Sequence, residues 1–143
     1  MSKTILVIED ERELCDILHA ELTAQGYKVI LAQNGQEGMA RLQEMEPDLI
    51  ICDRAMPVMS GYQLLERIRG VYPQYRNLPF IFLTALSDPR DRHSVTHLEP
   101  TAYLAKPVDF NLLNDAIKKA ISAAAASRPG TMVATNKAPT DRS

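Results

Sequence analysis

The chain has only 2 cysteines in 143 residues, Cys15 and Cys52, and no Cys-x-x-Cys spacing. A disulfide framework needs more than such a pair, so both read as packing residues in a protein suited to a reducing cytoplasm. No run approaches the ~20 apolar residues of a membrane span. Met1-Ser2-Lys3 leads straight into a strand-like run instead of the long apolar segment of a signal peptide. We therefore expect no membrane partner and a cytoplasmic location. Excess positive charge is missing as well: Lys and Arg total 16 against 18 Asp and Glu, for a net charge of −2. Because the basic residues are scattered, no face is suited to a phosphate backbone, and no direct nucleic-acid contact is expected of this segment. Neither a Gly-x-x-x-x-Gly-Lys loop nor a Gly-x-Gly-x-x-Gly turn occurs, which disfavours nucleotide enzymes. Internal repeats are also absent.

What the chain does contain is strict alternation of short apolar runs and amphipathic stretches. Thr4-Ile5-Leu6-Val7-Ile8 is unbroken by polar residues, as in a strand covered on both faces, and it ends in Glu9 and Asp10. From Glu11 the period turns helical, with Leu14, Ile17, Leu18 and Leu22 expected on one inward face and Gly26 as the stop. Lys28 to Ala32 reads as a second strand. Asn34-Gly35 turns into a helix carrying Met39, Leu42 and Met45, which ends before Pro47.

Leu49-Ile50-Ile51-Cys52 is the third strand, closed by Asp53. After the loop Met56 to Gly61, a helix with Leu64, Leu65 and Ile68 inward is expected to close at Gly70. Pro79 to Thr84 reads as the fourth strand. Asp88-Pro89 then starts a sparsely apolar helix whose inward residues are Val95 and Leu98. Ala102 to Ala105 is the fifth strand and Lys106-Pro107 a sharp turn. Asp109 caps a last helix with Phe110, Leu113, Ile117 and Ile121 as its stripe.

Five strand and helix pairs joined by short loops predict an α/β domain: a doubly wound, five-stranded parallel sheet with five helices on its two faces and ligands at its C-terminal edge. The domain is expected over residues 1–125. Residues 126–143, rich in Ser, Pro, Gly, Thr, Asn and Lys, read as a flexible tail or truncated linker.

The polar residues at the strand ends are chemically coherent. Glu9, Asp10, Asp53, Thr84 and Lys106 all fall on that C-terminal edge. With the first and third strands adjacent, three carboxylates converge and repel one another strongly, so either one is protonated or a cation sits among them. Hard oxygen ligands favour Mg²⁺, with the backbone carbonyl of Ala55 as a further expected ligand. Beside a metal, Asp53 is suited to accept a phosphoryl group as an acyl phosphate. Lys106 and the Thr84 hydroxyl could then bind its oxygens.

Together with Asp-x-x-Met-Pro-x-Met-x-Gly from Asp53 to Gly61, Leu-Thr-Ala from Leu83 to Ala85, and Tyr-Leu-x-Lys-Pro from Tyr103 to Pro107, these residues make the chain resemble the receiver domains of bacterial two-component response regulators. The resemblance covers about residues 3–123. It implies a flavodoxin-like (CheY-like) fold with strand order 2-1-3-4-5. It also implies a phosphorelay role: Asp53 as the phosphoacceptor, Glu9 and Asp10 holding Mg²⁺, Thr84 and Lys106 reading the phosphoryl group, and Tyr103 as a rotameric switch. The implied partners are a sensor histidine kinase or histidine phosphotransfer protein, and an output domain or protein that reads the fourth helix, fifth strand and last helix. A monomer or weak phosphorylation-dependent dimer is expected. So is chemistry limited to Mg²⁺-dependent self-phosphorylation and slow autodephosphorylation, since Ala55 and Leu86 offer no acid or amide to position a water.

Several positions depart from the common pattern. Glu9 stands where aspartate is more frequent, Arg54 where an apolar residue is usual, and Leu98-Glu99-Pro100-Thr101 replaces a small, Gly-Ala-rich stretch. Arg54 and the altered loop motivate a second reading, a receiver-like interaction scaffold independent of phosphorylation. An aspartate-nucleophile phosphatase is disfavoured, because Ala55 stands where a second acid would be needed and the nucleophile would follow the third strand. His93 and His97, four apart with no third ligand nearby, read as a solvated face.

Overall fold

The computed structural model describes residues 2–53, 59–75, 77–84 and 102–127. Five strands, β1 (Thr4–Ile8), β2 (Lys28–Ala32), β3 (Leu49–Asp53), β4 (Phe80–Thr84) and β5 (Ala102–Ala105), form one sheet in the order β2-β1-β3-β4-β5. Every neighbouring pair is parallel. The helices described are α1 (Arg12–Ala24), α2 (Gly35–Glu44), α3 (Gly61–Val71) and the C-terminal helix, Phe110–Ser127. The helix expected from Asp88, the residues from Arg54 to Val58, His93, His97, the 98–101 stretch, and residues 128–143 lie outside the described residues.

Alternation along each strand divides the core in two. Leu6, Ile8, Ile50, Cys52, Phe80 and Phe82 face one side with Leu42, Leu64, Leu65 and Ile68 of α2 and α3. Ile5, Val7, Leu49, Ile51, Ile81 and Leu83 face the other, with Leu18 and Leu22 of α1 and Leu113 and Ile117 of the C-terminal helix. Burial on both faces explains why these strands carry no polar alternation. Close approach of α2 to the sheet depends on Gly38, where a Cβ would fall 2.6 Å from Ile8 Cδ1.

Local punctuation is mostly as the residues dictate. Gly26 adopts φ +96° after α1, a left-handed conformation that costs glycine nothing sterically. The Asn34 side chain accepts from Glu37 N–H to cap α2. Ser60 and Gln63 form a capping box on α3, and Asp109 Oδ1 accepts from the N–H groups of Asn111 and Leu112.

Strand β3 ends at Asp53, as its sequence predicts. Two expectations are corrected. Helix α3 continues past Gly70 to Val71, because that glycine keeps helical geometry and the chain stops only at the Tyr72 cap. Ile17, expected inward, is 48% exposed; the buried stripe of α1 is Cys15, Leu18 and Leu22, and Ile17 sits on its edge beside an open cleft.

Candidate functional site

The C-terminal ends of β1, β3, β4 and β5 carry the site. Glu9 follows β1 directly. Its N–H donates to Ala32 O at 3.0 Å and its carbonyl accepts from Cys15 Sγ at 3.0 Å, so β2 and the first turns of α1 both fix its backbone. Asp53 closes β3, in register with Leu83 of β4; Thr84 stands one position further on, and its carbonyl accepts from Lys106 N–H at 2.8 Å. The Lys106–Pro107 peptide is cis.

These backbones bring the expected side chains together. Glu9, Asp10 and Asp53 each place a carboxylate oxygen within 4.8 Å of the others. Glu9 is fully buried, Asp53 and Thr84 nearly so, and Asp10 is exposed. Lys106 Nζ reaches into the cluster, 3.2 Å from Glu9 Oε1 and 3.3 Å from Asp53 Oδ2. It also meets Glu11 Oε1 at 3.0 Å, a contact absent from the sequence reading. Glu11 escaped notice because it looked like the first residue of a helix; the available signal was a third acid directly after an acidic pair.

The electrostatics follow from burial. Desolvation pushes the Glu9 carboxyl up from 4.5 to about 7. The Asp53 charge adds to that rise, against the lowering effects of the Glu11 N–H and Lys106. Burial alone would depress the Lys106 ammonium, yet its Glu11 hydrogen bond and the Asp53 and Glu9 charges outweigh it and leave the pKa raised. Lys106 is therefore a fixed positive charge at neutral pH, in a cluster with more negative charges than it can balance.

A small, hard cation fits this donor set. The cluster offers carboxylate oxygens from two strand ends, and Glu9 Oε1 is buried without accepting a hydrogen bond, although Lys106 lies close enough for ion pairing. A buried carboxylate oxygen that accepts no hydrogen bond, on a residue clustered with two other carboxylates, is the feature a metal satisfies. Ala55, the expected backbone ligand, lies outside the described residues.

Tyr103 sits on β5 opposite Phe82, their rings stacked at 6.0 Å. It is partly buried against the same face of the sheet as Phe82, the face to which alternation also assigns Thr84. On the other side of the site, an open cleft of about 1080 Å³ runs from Asp10, Asp53 and Lys106 along Leu14, Ile17, Val108 and Phe110. Among the described residues, no helix is long and apolar enough to cross a membrane.

Comparison with known proteins gives concordant results. A family model described as the response regulator receiver domain matches residues 5–118. The transcriptional regulatory protein ZraR of Salmonella typhimurium is 34% identical over 118 residues, which cover 82% of this chain and 26% of ZraR. The chain thus spans about a quarter of that relative's length. Among solved structures, the signal receiver domain of a signal transduction histidine kinase from Syntrophus aciditrophicus superposes with a TM-score of 0.80 at 33% identity, covering 90% of this chain and 96% of that one. The receiver domain of a sensor histidine kinase from Pseudomonas aeruginosa, with a magnesium ion coordinated in its active-site cleft, gives a TM-score of 0.78 at 29% identity, covering 85% and 99%.

Proposed function

The chain belongs to the response regulator receiver domain family of two-component systems, and on that premise we propose that Asp53 accepts a phosphoryl group in an Mg²⁺-dependent reaction. The observation that carries the reading is the meeting of Asp53 with Lys106 at 3.3 Å, inside a cluster that also holds Glu9 and Asp10. Mg²⁺ bound by Glu9, Asp10 and Asp53, with the Ala55 carbonyl, would supply charge neutralisation for the entering phosphoryl oxygens. Asp53 provides the attacking oxygen, held by the end of β3. Lys106 offers its ammonium to the phosphoryl group, and the Thr84 hydroxyl offers a further hydrogen bond.

The donor is a sensor histidine kinase or a histidine phosphotransfer protein. An apolar flank of Leu14, Ile17, Val108 and Phe110 beside the acidic cluster suits a protein donor, since a small anion would leave that surface unused. The output is a change at β5 and the C-terminal helix, together with the expected fourth helix, which lies outside the described residues. Thr84, Phe82 and Tyr103 share one face, so a threonine drawn toward a phosphoryl group vacates space on the face that Tyr103 borders. An output domain or protein reads that change, and the chain is a monomer or a weak, phosphorylation-dependent dimer. Hydrolysis of the acyl phosphate is slow, and a half-life of seconds would contradict this.

Incubation with acetyl phosphate and Mg²⁺ tests the reading. Wild type is expected to gain one phosphoryl group and Asp53→Ala none; equal incorporation by both would overturn it.

A further inference from the structure

Glu11 touches the site through two different atoms. Its backbone N–H donates to Glu9 Oε2 at 3.1 Å, and its carboxylate accepts from Lys106 Nζ at 3.0 Å. It occupies the N-cap position of α1, where a side-chain oxygen ordinarily accepts from the helix's own first-turn N–H groups. The Glu11 side chain makes no such cap bond. Its carboxylate is turned instead to Lys106.

We propose that Glu11 is a positioning residue that holds Lys106 as a built-in anion, released when a phosphoryl group arrives. This rests on the reading of Asp53 as phosphoacceptor. An ammonium has three N–H donors, and here three carboxylates lie within reach: Glu11 at 3.0 Å, Glu9 at 3.2 Å and Asp53 at 3.3 Å. An entering phosphoryl oxygen must take the place of one of them. The Glu11 side chain is 62% exposed against 0% and 7% for the other two, so it alone returns to water on release. Glu9 is fully buried and would lose its charge partner without reaching solvent, and Asp53 stays in place because it carries the phosphoryl group.

Two effects of opposite sign follow. The Glu11 charge favours a cation at the acidic cluster, because it draws Lys106 outward and adds negative potential. The same charge disfavours an entering anion, because it competes for Lys106.

Glu11→Gln keeps the side-chain shape and the backbone N–H to Glu9 while removing the charge. Mg²⁺ affinity is measured by calorimetry, and beryllofluoride affinity at saturating Mg²⁺ by ¹⁹F NMR. The variant is expected to bind Mg²⁺ more weakly and beryllofluoride more tightly, each by roughly twofold to fivefold, as suits one exposed ion pair. Both differences shrink in high salt. Glu11→Ala is expected to show the same pair of signs, whereas a merely structural role would weaken both ligands together. Unchanged affinities, or a joint weakening, would overturn the assignment. A wild-type protein that takes up no beryllofluoride with Mg²⁺ would overturn the phosphoacceptor reading itself, and this assignment with it; that outcome is recognisable because it needs no substitution.

Discussion

Lys106 Nζ lies 3.3 Å from Asp53 Oδ2, an ion pair that joins the end of β5 to the end of β3 across the intervening β4. Removing the lysine leaves Asp53 and Glu9 buried side by side without the cation that the described residues supply to them. Lys106→Met is therefore expected to destabilise the metal-free protein by about 1–3 kcal/mol, the cost of an unsatisfied buried polar group. Mg²⁺ should recover part of that loss. Thermal unfolding in EDTA and in Mg²⁺ measures both; an unchanged midpoint in EDTA would contradict the placement of Lys106.

Glu9 gives the site a pH signature. Its folded value of about 7 lies above the ordinary 4.5, chiefly through burial. Between these values the folded chain binds more protons at this residue than the unfolded chain, so its contribution to stability falls as pH rises. Glu9→Gln cannot ionise. In EDTA, its stability relative to wild type should rise from pH 5 to pH 8. A difference that stays flat across this range would contradict the burial assigned to Glu9.

The cysteines are placed to be inert. Burial, together with the charges of Glu9, Asp16, Asp10 and Glu37, pushes the Cys15 thiol up to about 11, and burial raises Cys52 well above its usual value. Because the thiolate is the nucleophile, native alkylation at pH 8 should run more than roughly tenfold slower than in denaturant. Rapid native labelling would show that the first turn of α1 opens easily over Glu9, to whose carbonyl Cys15 is bonded.

Much of this geometry was legible in the residues alone. Unbroken runs such as Ile5 to Ile8 and Leu49 to Cys52 announce strands buried on both faces, and four of the five expected helices stand in their places. The convergence of Glu9, Asp10, Asp53 and Lys106 followed from putting strand ends on one edge. Ile17 was misplaced because a helical period identifies the apolar side of a helix but not the width of the stripe its neighbours cover. Glu11 was missed for a different reason. Its partner Lys106 is remote in sequence, and an acid at a helix start has an adequate local explanation in the helix dipole.

Trapping the phosphoryl group in place tests the central claim most directly. An acyl phosphate on aspartate is reduced by borohydride to homoserine, which marks the modified residue permanently. After acetyl phosphate and Mg²⁺, peptide mapping should find homoserine at position 53, and none when EDTA replaces Mg²⁺. Homoserine at position 10, or an unmodified peptide throughout, would contradict Asp53 as the phosphoacceptor.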